Sequence, residues 1–226
     1  MQSYVIHLIR HGMTDANIKG QYAGSWDIPV CAQGEEKLKN LKNSFKYPHV
    51  EKIYTSPLSR CIQTCGIIYS GFEPIIVDGL RECNFGDWEG KTPFELSEDP
   101  THSEWMKKGN SVIPPNGESW NDMFERVSQS FEDIVKTMMT EKIFSSAIFT
   151  HGGVIMSILY RYGFPKAEFL DWMVENGCGY SVRITPGLWM RDKVFEVYDR
   201  LPIGADVELS GGLKNVIDHM KKSREN

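Results

Sequence analysis

Tyr4-Val5-Ile6-His7-Leu8-Ile9-Arg10-His11-Gly12 is a mostly apolar run that ends on a cation, an imidazole and a glycine. The run reads as a buried strand. Side chains of adjacent strand residues point to opposite faces, so Arg10 and His11 serve one site only if the strand stops there and the backbone turns. Gly12 supplies that turn at little steric cost. A guanidinium beside a nucleophilic imidazole suits attack on a phosphoryl group, the cation holding anionic oxygens while a ring nitrogen displaces an alcohol.

Further strand-like runs follow at Lys52–Thr55, Pro74–Val77, Phe144–Thr150, Tyr180–Thr185 and Lys193–Tyr198, with helical stretches between most of them. Short, nearly continuous apolar strands alternating with helices predict an α/β fold with a mostly parallel sheet covered on both faces. Gln33–Phe45 carries Leu38, Leu41 and Phe45 on one helical face, and Ser119–Met139 carries Met123, Val127, Phe131, Ile134, Val135 and Met138. Ser56-Pro57 reads as an N-cap and first helical residue, opening a helix to about Tyr69. Residues 84–118, rich in Trp, Gly, Pro and acidic side chains, read as a lid-like insertion. The expected organisation is a single domain over 1–202 followed by a tail helix over 203–226, with Leu213, Val216, Ile217 and Met220 at helical spacing and Lys221-Lys222-Ser223-Arg224 as a solvated end.

The 226 residues carry a net charge of −5, with no basic cluster interleaved with aromatics, so no nucleic-acid footprint is expected and any anion must be held locally. Neither a signal-peptide pattern nor an apolar run of membrane-spanning length is present, which gives the expectation of a cytoplasmic protein without a membrane partner. Five cysteines, Cys31, Cys61, Cys65, Cys83 and Cys178, include no CxxC pair and read as idle or packing thiols. No metal-ligand spacing appears.

Thr150-His151-Gly152-Gly153 repeats the strand, turn and helix-start pattern, putting a second imidazole where open α/β sheets gather ligands and helix N-termini offer N–H groups to anions. Arg60 falls in the first turn of the helix after Ile53-Tyr54-Thr55, and Glu82 in the loop after Pro74–Val77. A carboxyl among apolar neighbours keeps its proton and suits donation to a departing alkoxide. Asp87, Glu89 and Glu118 are rivals for that role, and spacing alone does not separate them. Of the other histidines, His7 reads as a satisfied core residue and His49, His102 and His219 as surface.

Leu8-Ile9-Arg10-His11-Gly12-Met13-Thr14-Asp15-Ala16-Asn17 closely resembles the RHGxTxxN signature of the histidine phosphatase superfamily, which includes phosphoglycerate mutases and small-metabolite phosphatases. Tyr22-Ala23-Gly24, Asp27-Ile28-Pro29, Thr55–Thr64, Leu80–Gly90 and Phe149–Gly153 resemble the family's following segments, in order, over roughly residues 4–200. The resemblance implies a phosphoglycerate mutase-like three-layer α/β/α fold. It implies His11 as the nucleophile forming a phosphohistidine, Arg10, Arg60 and His151 as the phosphoryl clamp, Glu82 as proton donor, and Asn17 and Gly152 in substrate binding. It implies no metal and no cofactor, two guanidiniums and an imidazolium balancing the charge. For His11 to attack, its other nitrogen is expected to donate to a backbone carbonyl. The sequence departs from the family at Val30-Cys31, where Leu-Thr is frequent, and at Trp26, where a smaller residue is frequent.

The loop Cys83-Asn84-Phe85-Gly86-Asp87-Trp88-Glu89-Gly90 resembles the phosphatase version, including the α-ribazole phosphatase group, rather than the glycolytic mutases. The expectation is therefore a metal-independent phosphomonoesterase of small phosphorylated metabolites. The alternatives are a phosphoglycerate mutase primed by 2,3-bisphosphoglycerate, and a catalytically silent binder of phosphorylated partners, which the presence of all five chemical residues disfavours. The amphipathic tail suits docking in cis or joining two copies in a homodimer.

Overall fold

The computed structural model describes residues 2–108, 112–206, 208–211, 213–214, 217–218 and 221. Seven strands form one sheet: β1 (Tyr4–Arg10), β2 (Lys52–Thr55), β3 (Ile75–Ile76), β4 (Ser145–Thr150), β5 (Gly163–Phe164), β6 (Gly179–Ile184) and β7 (Phe195–Leu201), in the order β3-β2-β4-β1-β6-β7-β5. β3, β2, β4 and β1 run parallel, and β6 is antiparallel to both β1 and β7. The helices fully within the described residues are α1 (Asp15–Lys19), α2 (Ala32–Ser44), α3 (Ser59–Ile68), α4 (Pro100–Lys108), α5 (Trp120–Glu141), α6 (Gly152–Tyr162) and α7 (Pro186–Asp192).

Strand alternation divides the core between the two sheet faces. Ile6 and Leu8 of β1 join the core formed with α5 and α6, whereas Ile9 joins Leu38 of α2, Cys61 and Cys65 of α3, Ile53 and Phe149. The apolar stripe foreseen on α5 is buried in full, from Met123 to Met138, and Ser119 caps the helix by accepting the Asp122 N–H at 3.0 Å. β3 is shorter than its sequence suggests and is an edge strand paired only with β2, with Ile75 and Ile76 41% and 50% exposed. β7 begins at Phe195 rather than Lys193, and β5 adds a short strand beside it.

The α3 start differs from the expectation. Its first helical residue is Ser59, and the Ser59 N–H and hydroxyl both donate to the Asp27 carboxylate, at 2.7 and 2.8 Å. An acid from a distant loop thus satisfies the helix N-terminus, and Ser56 Oγ, which accepts only the Leu58 N–H there at 3.4 Å, has room for a second partner. At Cys31 the sulfur takes the capping role, accepting the Gly34 N–H at 3.4 Å.

Residues 84–118 carry their own small core of Trp88, Leu96 and Trp105. His102, expected at the surface, is buried inside it, 2.9 Å from the Tyr22 hydroxyl, because the insertion's aromatics fold onto one another rather than outward. Of the tail, Ile203 bridges to Lys46, Ile217 is buried in the main core and Lys221 pairs with Asp171. Val216, His219, Met220 and Lys222–Arg224 lie outside the described residues. No helix among the described residues is long and apolar enough to cross a membrane.

His7 is a core histidine as expected, 3% exposed and 2.9 Å from the Ser181 hydroxyl. Burial lowers its pKa from 6.5 to about 4. Between those values the unfolded chain binds the extra proton, so His7 makes stability fall as the pH drops from about 6.5 towards 4. His7→Gln is expected to lose part of that slope, measured as the difference in urea unfolding free energy between pH 6.5 and about pH 4.5. An unchanged slope would contradict it.

Candidate active site

Register brings the two imidazoles together. β1 and β4 pair Arg10 with Thr150, so the next residue of each strand, His11 and His151, leaves the sheet at the same level. The His11 N–H donates to the Thr150 carbonyl at 2.9 Å, and the two rings lie 5.2 Å apart. The ends of β2 and β3 face the same edge, which carries Arg60 and Glu82 in from one side. This is the crevice outside the carboxyl ends of parallel strands, beside the antiparallel strand where the pattern breaks.

The proton positions on both rings follow from their partners. Nδ1 of His11 lies 2.7 Å from the Gly12 carbonyl, which only accepts, so Nδ1 carries the hydrogen and Nε2 presents a lone pair. That bond is the one the sequence called for. His151 Nδ1 accepts from Arg60 Nε at 3.3 Å, so its hydrogen sits on Nε2 and is donated to Ser56 Oγ at 2.8 Å. Burial first, then Arg60 and Arg10, with the His11 ring added in the case of His151, holds both imidazoles well below their usual pKa. Where an imidazolium was expected, the His151 contacts are those of a neutral ring, with Nδ1 accepting and Nε2 donating, and burial with the nearby cations favours that form. A bound phosphate dianion would reverse the sign of that field.

Arg60 is fully buried. Its NH1 donates to the Trp26 carbonyl at 2.8 Å and its NH2 to the Gly24 carbonyl at 2.6 Å, with Ala23 further off. Arg10 donates through NH1 to the Val174 carbonyl at 2.6 Å, and its buried Nε has no partner. Neither guanidinium forms an ion pair among the described residues. A desolvated cation without a counter-ion is costly, so this site is poised for an anion.

Glu82 separates from its rivals. Its Oε2 accepts the Gly153 N–H at 2.9 Å, at the start of α6, and Oε1 accepts the Cys83 N–H at 3.1 Å. Part of its surface is accessible, but the carboxyl end is enclosed, and burial raises its pKa against the opposing pull of those N–H groups and of Arg60 and Arg10. Glu89 instead accepts from the backbone of Gly24, Ser25, Trp26 and Phe85, fixing the loop whose carbonyls hold Arg60. Glu118 is paired with Arg126, and Asp87 is exposed beside Asn116.

Asn17 caps α1 reciprocally with Thr14 and accepts from Asn176 Nδ2 at 3.3 Å. Gly152 opens α6, and a Cβ there would lie 3.5 Å from Arg10 Nε, so the guanidinium rests on that backbone.

Several supporting residues were not foreseen. Asn176 also donates to the His11 carbonyl, and Gly177, at φ +81°, donates to the Arg10 carbonyl at 3.0 Å. Glu175 joins Lys37 at 3.1 Å and accepts the Ser210 N–H of the tail at 2.7 Å. Thr64 accepts the Gly12 N–H at 2.7 Å, and Arg126 binds the carbonyls of Gly79 and Arg81, before and within the acid loop. The Asn-Gly turn at 176–177 was the available signal; knowing that β6 runs antiparallel would have located it beside His11. Cys61, read as packing, is buried with its sulfur 3.5 Å from His151 Nε2. Among the described residues no group of three or more His, Cys, Asp or Glu side chains is arranged to hold a metal ion.

A family model for the histidine phosphatase superfamily (branch 1) matches residues 6–196, and the chain belongs to that superfamily. Among its relatives, the adenosylcobalamin/alpha-ribazole phosphatase of Escherichia coli is 29% identical over 182 residues, spanning 78% of this chain and 88% of the relative. A 2,3-bisphosphoglycerate-dependent phosphoglycerate mutase of Allorhizobium ampelinum is also 29% identical, over 168 residues, with 67% and 76% coverage. The alpha-ribazole phosphatase structure from Shigella flexneri superposes with a TM-score of 0.75 at 26% identity, over 91% of this chain and 100% of that one. A phosphoglycerate mutase structure from Thermus thermophilus gives 0.62 at 29% identity, over 87% and 98%.

A Cβ at Gly153 would stand 2.4 Å from Glu82 Oε1. Gly153→Ala is therefore expected to displace the carboxyl and lower kcat roughly 10- to 100-fold with the fold retained. Gly187→Ala, with open space at its Cβ, is the silent control in the same steady-state assay. Unaltered turnover in Gly153→Ala would contradict the placement of Glu82.

Proposed function

We propose that the chain is a phosphomonoesterase of small phosphorylated metabolites that works through a phosphohistidine on His11. The observation that carries this reading is an unprotonated His11 Nε2 facing a site of two buried, unpaired guanidiniums. Arg10, Arg60 and His151 hold the phosphoryl oxygens, the unpartnered Arg10 Nε being the donor most directly available. Binding draws the Arg60 donors from carbonyls toward the phosphate, and the dianion favours a proton on His151. Asn17 and the Gly152 backbone complete the cradle.

In the first step the Nε2 lone pair forms the P–N bond as the P–O ester bond breaks, and the Glu82 carboxyl gives its proton to the departing alkoxide. In the second step water attacks phosphorus, its proton passes to the Glu82 carboxylate, and the P–N pair returns to His11. The raised Glu82 pKa supports the first role and the lowered His11 pKa supports the nucleophile. No metal and no cofactor are required, since the guanidiniums supply the charge stabilisation.

Relatives named as phosphatases and as mutases match with equal identity, so similarity alone does not choose between them. The acid loop favours the phosphatase. A mutase would need a 2,3-bisphosphoglycerate primer and would release little net phosphate.

Release of inorganic phosphate from sugar phosphates, phosphoglycerates and nucleoside monophosphates, measured with chelator present, tests the proposal. Metal-independent release that His11→Ala lowers by about 1000-fold or more is expected. Primer-dependent isomerisation of phosphoglycerate without release would support the mutase and contradict the proposal, as would release that His11→Ala leaves intact.

A further inference from the structure

Val174, Asn176 and Gly177 supply three of the contacts that fix Arg10 and His11. The Val174 carbonyl accepts from Arg10 NH1 at 2.6 Å, Asn176 Nδ2 donates to the His11 carbonyl at 3.0 Å, and the Gly177 N–H donates to the Arg10 carbonyl at 3.0 Å. The segment belongs to no helix or strand, so no ladder of backbone bonds fixes it. Glu175 lies in its middle, is 5% exposed and has no part in the phosphoryl chemistry. Its Oε2 pairs with Lys37 Nζ of α2 at 3.1 Å, and its Oε1 accepts the Ser210 N–H at 2.7 Å. Burial pushes the Glu175 pKa up, but Ser210 and Lys37 outweigh it and hold the pKa below the usual carboxylate value, so the group is an anion near neutral pH. An anion enclosed in this way is stable only where such partners meet it.

Ser210 belongs to the C-terminal tail, beyond the residues 6–196 shared with the superfamily. The described part of the tail lies along the segment that leads into Val174. Leu209 and Ile217 pack into the same core as Trp172 and Val174, and Lys221 pairs with Asp171 at 3.0 Å. The tail thus bears on this segment at Asp171 and at Glu175, and the carbonyl that holds Arg10 lies between those two points. Glu175 acts on Arg10 in two opposed ways. After burial it is the largest influence on the guanidinium, and as a negative charge it weakens the attraction for a bound phosphate. As an anchor it keeps the Val174 carbonyl where Arg10 NH1 meets it, with the unpartnered Nε left to the site.

We infer that Glu175 is a positioning residue for Arg10, and that the tail, docked on it through the Ser210 N–H, is part of the support of the anion site. The inference rests on the reading of Arg10 as a phosphate ligand and adds a control on it, since undocking the tail frees the Glu175 side chain and with it the Val174 carbonyl.

Full-length wild type, Ser210→Pro, Glu175→Ala, their double variant and Lys214→Ala are titrated with inorganic phosphate by calorimetry. Lys214→Ala removes only the exposed tail pair with Glu208 and is expected to bind as the wild type does. Ser210→Pro removes the N–H and leaves the carboxylate in place, and should weaken phosphate binding about 5-fold. Glu175→Ala should weaken it about 10-fold, although the loss of an anion beside Arg10 would by charge alone tighten it. The double variant should match Glu175→Ala, because both substitutions break one linkage. Arginine nitrogen NMR supplies a second readout, in which the Arg10 Nε–H signal shifts in Ser210→Pro and Glu175→Ala while that of Arg60 stays. Tighter phosphate binding in Glu175→Ala, full additivity in the double variant, a loss in Lys214→Ala equal to that in Ser210→Pro, or an unmoved Arg10 signal would each overturn the inference. A wild type that binds no phosphate would count against the phosphate-site reading, and the Arg10 signal would still decide the positioning role.

Discussion

Two guanidiniums, Arg60 fully buried and Arg10 partly so, sit at one edge of this sheet with carbonyl oxygens and the His151 ring, and among the described residues no carboxylate, as their partners. A carboxylate at ion-pair distance would neutralise each cation and remove its use for an anion. Carbonyl dipoles satisfy the donors and leave the charge in place. Arg60 is held by Gly24 and Trp26, and Arg10 by Val174. Much of the surrounding structure serves that arrangement: Glu89 gathers the amides of the 24–26 loop so that its carbonyls point inward, and β6 enters antiparallel so that Val174–Gly177 meets the end of β1. Acidic charge is present, but each carboxylate near the site is occupied elsewhere or set back.

The same positive field sorts the protons. Burial and the cations together push both imidazoles toward their uncharged form, while burial raises the Glu82 pKa against the pull of the cations and of its backbone N–H partners. Shifts of opposite consequence, an imidazole made harder to charge beside a carboxyl made harder to ionise, are what paired titratable groups in active sites commonly show. Gly12 and Gly153 are part of the same economy of space. A Cβ at Gly12 would press on Leu38 at 2.6 Å, and one at Gly153 on Glu82 Oε1 at 2.4 Å, so the backbone beside His11 and beside Glu82 packs this closely only without side chains there.

The sequence was most legible where the signal was local. The apolar runs ending in Arg10-His11-Gly12 and Thr150-His151-Gly152 announced two strand ends, and the resemblance to the superfamily supplied Arg60 and Glu82. What it concealed depended on partners far along the chain. Ser56 looked like an N-cap, but Asp27 caps α3 from a distance and Ser56 turns to His151. His102 looked solvated until the aromatics of its segment closed over it. The 174–177 loop became part of the site only through the direction of β6, which periodicity does not encode. Arg60 is the sharpest case, since nothing local distinguishes a solvated helix arginine from one fully buried against backbone carbonyls.

The central claim is that the neutral Nε2 of His11 becomes covalently phosphorylated. Mixing the protein with a hydrolysed phosphomonoester, quenching in alkali within the first turnovers and mapping the phosphoryl group by mass spectrometry tests it directly. The account predicts an acid-labile, base-stable phosphoryl group on His11 that accumulates further when Glu82 is replaced by Gln and the ester has a good leaving group. Turnover without any such adduct, or an adduct on another residue, would contradict it.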